Sequence, residues 1–226
     1  IERVRETIAA FCEKAGRDPE EITVVAVTKG VPVELMEEAR QLGIRIFGEN
    51  RVQEALRKMP MFSGKDVAWH FIGRMQRNKL RKIVTHFQFV HSLDRPDFGR
   101  IMAAYLQDMG KEEYPVLLEV NLTGKTTQGG VPEEKLPELV RELSQFSNLR
   151  IVGLMTIGPL GGSEEEIRRV FRRLRELRDR VNDLGIPGVH LTELSMGMSD
   201  DYPLAILEGA TMLRLGRAIF GERRAL

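Results

Sequence analysis

The chain has 226 residues, 42% hydrophobic, 30% charged and 6% aromatic, a composition ordinary for a globular protein. Lys and Arg number 34 against 33 Asp and Glu, and the formal charge of +1 supports neither a nucleic-acid partner nor a polybasic membrane surface. No run of about 18 apolar residues occurs, which excludes a transmembrane helix, and the one cysteine, Cys12, excludes a disulfide framework.

In chain order, residues 2–14 read as a helix before the first strand. Eight β-rich or apolar runs follow: residues 22–29, 45–50, 68–73, 88–94, 116–122, 151–156, 190–197 and 212–216. The segments between them have helical spacing. In residues 164–184, Ile167, Val170, Phe171, Leu174, Leu177, Val181 and Leu184 form one apolar stripe at three- and four-residue steps. Ser163 with Glu166 spells a capping box at its start, and Pro32, Pro96 and Pro132 stand where first helical turns accept proline. Strands alternating with helices imply parallel pairing. The strand count, the length and the lack of G-x-G-x-x-G after the first strand favour an α/β fold of one kind. It is a single (β/α)8 TIM-type barrel, residues 1–226, with an extra N-terminal helix; the competing architecture is a doubly wound open sheet. His70, His86, His91 and His190 lack metal-ligand spacing, so no metal site is expected. The start, Ile1-Glu2-Arg3-Val4, lacks the layout of a signal peptide, and the cytoplasm is the expected compartment.

In such barrels chemistry gathers at the C-terminal strand ends. Here those ends carry Lys29, Asn50, His70, Met155, Ser195 and Arg214. Lys29 follows the apolar run Val24-Val25-Ala26-Val27. A lysine that has lost hydration there becomes a nucleophile for carbonyls, against the plainer reading of a side chain reaching solvent. Ser195-Met196-Gly197-Met198-Ser199 and Gly216-Arg217 offer small residues, hydroxyls and backbone N–H groups suited to a phosphate. A Schiff-base lysine with a phosphate cradle leaves two ligand classes open, a phosphorylated sugar or pyridoxal phosphate. Met196 and Met198 read either as core or as thioethers against a planar ring. His86 and His91 read as structural, and Glu49 as an ion-pair partner of a nearby lysine. The arginines of residues 168–180 read as a solvated face.

Six segments give a more specific reading. They are Ala26-Val27-Thr28-Lys29, Phe47-Gly48-Glu49-Asn50-Arg51-Val52-Gln53-Glu54, His70-Phe71-Ile72-Gly73-Arg74-Met75-Gln76-Arg77-Asn78-Lys79, Gly153-Leu154-Met155-Thr156, Leu194-Ser195-Met196-Gly197-Met198-Ser199-Asp200-Asp201 and Arg214-Leu215-Gly216-Arg217-Ala218-Ile219-Phe220-Gly221. In this order the chain resembles the pyridoxal phosphate homeostasis protein family, relatives of the alanine racemase barrel domain. The resemblance implies a pyridoxal 5'-phosphate cofactor held as a Schiff base on Lys29. It implies that Ser195, Ser199 and the Gly216-Arg217 backbone hold the phosphate, and that Arg214 faces the pyridine nitrogen. Asn50, His70 and Met155 match positions near the ring or pocket wall.

Two departures stand out. The loop Asn121-Leu122-Thr123-Gly124-Lys125-Thr126-Thr127-Gln128-Gly129-Gly130 alters the family's acid-then-lysine order, and Arg51 stands where an aromatic residue is common. The expected function is an intracellular carrier or buffer of the cofactor, handing it to apo-enzymes, without catalytic turnover and as a monomer. The alternative is a pyridoxal-phosphate-dependent enzyme such as an amino-acid racemase. An aldolase is the weakest reading, since Glu49 is its sole obvious acid–base carboxylate. Against the racemase, Tyr105, Tyr114 and Tyr202 fall at no strand end, and no added β-domain is expected after the eighth strand.

Overall fold

The structure is a computed structural model and describes residues 1–222; residues 223–226 of the expected 1–226 unit lie outside the described residues. The barrel strands are β1 (Thr23–Val27), β2 (Ile46–Glu49), β3 (Ala68–Phe71), β4 (Phe89–Leu93), β5 (Tyr114–Asn121), β6 (Leu149–Met155), β7 (Glu193–Ser195) and β8 (Met212–Leu215). All pair in parallel, β1 with β2 and β8 on its two sides, and a β4–β5 pairing closes the ring. The closed barrel is thus formed and the open sheet is not. A two-residue segment, Val131–Pro132, pairs beside the outer end of β5 and was not foreseen.

The helices are α1 (Glu2–Ala15), α2 (Val33–Gln41), α3 (Val52–Lys58), α4 (Leu80–His86), α5 (Pro96–Asp108), α6 (Leu136–Leu143), α7 (Glu164–Asp183), α8 (Tyr202–Leu207) and α9 (Arg217–Phe220). Helix α1 is the expected extra element. The capping box of α7 forms: Ser163 Oγ accepts from Glu166 N–H at 3.3 Å, and the Glu166 carboxylate accepts from Ser163 N–H at 2.8 Å. Its apolar stripe buries Phe171, Leu174, Leu177 and Val181. Its arginines are not simply solvated. Arg168 and Arg172 reach the buried Glu208 carboxylate at 2.8 and 3.0 Å, which ties α7 to the end of α8. Among the described residues no helix is long and apolar enough to cross a membrane.

Two apolar clusters result from strand alternation. The larger lies between the strands and the helices and includes Phe47, Phe71, Val116 and Leu118. A small one, Leu117, Met155 and Met212 with Phe89 beside it, fills the barrel interior. Phe89, Leu117 and Met212 each stand two residues before His91, Glu119 and Arg214. The interior therefore changes from apolar to polar toward the C-terminal strand ends.

Candidate functional site

The interior at those ends is a connected polar group. His70 on β3 meets His91 on β4 through Nδ1 and Nε2 at 2.9 Å, and His91 Nδ1 meets Ser195 Oγ on β7 at 2.9 Å. Arg214 on β8 donates from Nη1 to Ser195 Oγ at 2.7 Å and from Nη2 to Thr156 O at 2.9 Å. Thr156 in turn donates from its hydroxyl to Val120 O at 2.8 Å, so β5, β6, β7 and β8 are joined around the guanidinium. The His70 ring stacks on Phe89 with centroids 4.7 Å apart.

The direction of this chain is fixed by chemistry. A guanidinium only donates, so Ser195 Oγ accepts from Arg214; among the described residues His91 Nδ1 is the one acceptor within reach of its own O–H, which turns there. His91 then carries its proton on Nε2 and donates to His70 Nδ1. Burial holds both imidazoles neutral: it pushes His70 down to about 3 and His91 well below its ordinary value. Burial also lowers Arg214 to about 10, opposed by the charges of Glu119 and Asp201, so the guanidinium stays a cation at neutral pH.

Lys29 lies just past β1, half-buried, and β1 is the neighbour of β8 with Val25 opposite Arg214 and Ala26 opposite Leu215. Its flanking residues are pinned from outside the barrel wall. Lys58 of α3 donates to Thr28 O at 2.6 Å, to Glu49 at 2.7 Å and to Glu54 at 2.7 Å. Gly30 N–H donates to Glu54 at 2.5 Å, and the Thr28 hydroxyl to Glu49 at 2.8 Å. Glu49 is therefore an ion-pair partner, as read from sequence, and it fixes the backbone that carries Lys29.

The last two loops meet at Ser199, whose Oγ accepts from Ala218 N–H at 3.1 Å. Gly197 has φ +95°, and a Cβ there would stand 2.6 Å from Ala205 Cβ, so the turn demands glycine. Asp201 braces the loop by accepting from Met198 N–H at 2.6 Å.

Of the sequence-derived candidates, Lys29, His70, Met155, Ser195 and Arg214 fall at or inside the C-terminal ends of five strands, and Asn50 follows β2. Ser199, Gly216 and Arg217 share the adjoining loops. Three positions are placed more closely by the structure. The Ser195 hydroxyl is fully buried and engaged by Arg214 and His91. Met196 alternates away from the interior and is fully buried in the outer core, so its thioether cannot lie on a ring. The exposed Arg217 guanidinium pairs with Asp200 and, at 3.4 Å, with Glu222.

Sequence reasoning took His91 as merely structural and passed over Glu119. His91 has its partner 21 residues earlier in the chain, brought close because Phe89 stands opposite His70 across the β3–β4 pair. Glu119 is a buried carboxylate on β5, pushed up to about 7 by burial and then by Asp94, against the lowering charges of Arg214 and Arg74. The strand position was visible in the sequence, but the inward direction of its acid was not. Among the described residues no cluster of three or more metal-ligating side chains occurs.

The sequence profile of the family described as alanine racemase, N-terminal domain, matches residues 1–224. The pyridoxal phosphate homeostasis protein of Aquifex aeolicus is 41% identical over 226 residues, spanning 99% of this chain and 97% of that one. The protein of the same description from Escherichia coli is 38% identical over 229 residues, spanning 99% and 95%. PipY of Synechococcus elongatus, solved with PLP bound, is 36% identical with a TM-score of 0.86, covering 96% of this chain and all (100%) of that one. The alanine racemase of Corynebacterium glutamicum shares the fold, at 14% identity and a TM-score of 0.70 over 97% of this chain and 61% of its own.

Proposed function

The chain belongs to the alanine racemase N-terminal domain family, among the pyridoxal phosphate homeostasis proteins. From that premise we propose that it binds pyridoxal 5'-phosphate as a Schiff base on Lys29 and serves as a monomeric cytoplasmic carrier or buffer of the cofactor, passing it to apo-enzymes. One observation carries the reading. A buried arginine, held by two acceptors through both terminal nitrogens, sits inside the barrel one strand away from a strand-end lysine.

The donor set fits the cofactor. Among the described residues Arg214 Nε has no acceptor, which leaves a cationic N–H for a ring nitrogen. Such a donor keeps that nitrogen unprotonated. Ser199 has accepted from Ala218 N–H and retains its own O–H for a phosphate oxygen, beside the Gly216-Arg217 backbone. Asn50, His70 and Met155 would wall the ring. When bound, the cofactor supplies an aldehyde carbon that captures amines and withdraws electrons from them. Lys58 and Glu54 hold the Thr28–Gly30 backbone, and so fix where the Lys29 amine begins.

The racemase alternative needs a second proton-transferring group opposite the lysine, and the described tyrosines do not provide it. Tyr114 spends its hydroxyl on Phe87 O at 2.9 Å, and burial pushes its pKa up. Tyr114 and Tyr202 are buried in the outer core, and Tyr105 packs against it. The test is covalent. The purified protein should show visible Schiff-base absorbance and, after borohydride, a reduced adduct on Lys29. Lys29→Ala should fold and lose both. An adduct mapped to Lys79 or Lys82 would overturn the assignment.

A further inference from the structure

We propose that the cavity between the ends of β2 and β3 is a second site, binding a compact phosphate-bearing anion apart from the Ser199 loop. The cavity has a volume of about 400 Å3, and Arg51, Arg74 and Lys79 line it together with the amides of Asn50, Gln53 and Gln76. Phe71, buried at the end of β3, forms its floor.

None of the three cations is held in an ion pair among the described residues; Arg51 and Arg74 act on Glu54 and Glu119 only through longer-range charge. Arg77, in the same loop as Arg74 and Lys79, pairs with Asp97 at 2.7 Å. Arg45, at the start of the β2 segment, pairs with Asp66 at 3.1 Å. Among the described residues no carboxylate lies within ion-pair distance of Arg51, Arg74 or Lys79, although all three line one concavity. Like charges on converging walls repel one another, and an anion between them relieves that cost.

The walls are also fixed relative to each other. A Cβ on Gly73 would stand 2.2 Å from Asn50 O, so the β2 and β3 ends approach as closely as glycine permits. Ser92 holds the same turn by donating to Gly73 O at 2.6 Å. The backbone that carries the cations is thereby fixed before an anion arrives.

The chemistry selects phosphate over a single carboxylate. Two guanidinium groups and an ammonium match the charge and the many acceptor oxygens of a phosphate ester or diphosphate. The volume suits a small molecule and not a polymer. A phosphate could enter as free diphosphate or as an ester, so two probes are needed.

The experiment titrates the full chain, first loaded with pyridoxal phosphate so that the Ser199 loop is occupied, with inorganic pyrophosphate and, separately, with glycerol phosphate by calorimetry at low and moderate salt. At least one probe should bind, with affinity falling as salt rises. Arg51→Gln and Lys79→Gln should each weaken that binding about tenfold, and Arg51→Lys should weaken it less. Ser199→Ala should leave it unchanged. Both positions face solvent at least in part, and melting curves of the variants check the fold. Binding of pyrophosphate alone would assign a free diphosphate, and binding of the ester would assign a phosphate ester. Absence of binding by either probe overturns the site. So does binding indifferent to Arg51→Gln and Lys79→Gln, or lost in Ser199→Ala.

Discussion

The Arg214 guanidinium and the Ser195 hydroxyl lie 2.7 Å apart, and the arginine donates. That contact turns the serine proton toward His91 and sets both histidine tautomers. Ser195→Ala would leave a buried Arg214 N–H without an acceptor and His91 Nδ1 without a donor. The ligand-free protein should lose on the order of 1–3 kcal/mol per stranded group, read by urea unfolding. The ratio of affinities for pyridoxal phosphate and pyridoxal should not change. If the ratio collapses while stability holds, the hydroxyl binds phosphate after all.

Ser199 makes the opposite prediction. Its Oγ accepts from Ala218 N–H at 3.1 Å, and its proton is available to a ligand. Ser199→Ala removes one hydroxyl where backbone donors remain. Affinity for pyridoxal phosphate should fall about tenfold, roughly 1.4 kcal/mol. Affinity for pyridoxal should hardly move. Equal affinity of the unsubstituted protein for the two compounds would show that these loops hold no phosphate.

Much of this architecture is readable from the chain because its physical signals are local. Alternation of apolar strands with capped amphipathic helices marks the barrel, and Ser163 with Glu166 marks the start of α7. The misplacing of Met196 has another cause. Whether Ser195 or Met196 points inward depends on where β7 begins, and that strand is Glu193–Ser195 instead of residues 190–197. One residue of register exchanges core for site. The His70–His91 bond and the Lys58–Glu49–Thr28 clamp join residues far apart in sequence. Neither periodicity nor composition reports such a meeting. Glu119 was missed for the same reason, since the closed ring alone turns it toward Arg214.

Glu119 makes stability depend on pH in an unusual direction. Burial and Asp94 raise its folded pKa to about 7, whereas an unfolded glutamate titrates near about 4.3. The folded state therefore binds this proton more tightly. The group costs no stability below about pH 4, an increasing amount between about pH 4 and 7, and a constant amount above. Glu119→Gln removes the cost. The variant should match the parent protein at pH 4 and exceed it at pH 8 by on the order of 3 kcal/mol. Unfolding midpoints across that range give the test, and parallel curves for the two proteins would refute it.

The remaining question is whether the Lys29 site transfers cofactor or turns over amino acids. Arg214 faces the interior as a donor, and its nearest hydrogen-bond partners, Ser195 and Thr156, supply no proton to a ring nitrogen. The described tyrosines lie in or against the outer core. A carrier should therefore load an apo-enzyme faster than it exchanges the α-proton of alanine or other amino acids. Deuterium exchange over an amino-acid panel, run beside a transfer assay, measures both. Exchange should stay near that of the free cofactor. Stereospecific exchange many orders of magnitude faster would reject the carrier and restore the racemase. Arg214→Glu separates the two deficits. A carboxylate opposite the ring nitrogen would favour its protonation and strengthen electron withdrawal. If ring protonation limits exchange, this variant should raise it. If the rate stays flat while the cofactor remains bound, the limiting lack is the second base, which the interior between β5 and β8 does not supply from a tyrosine.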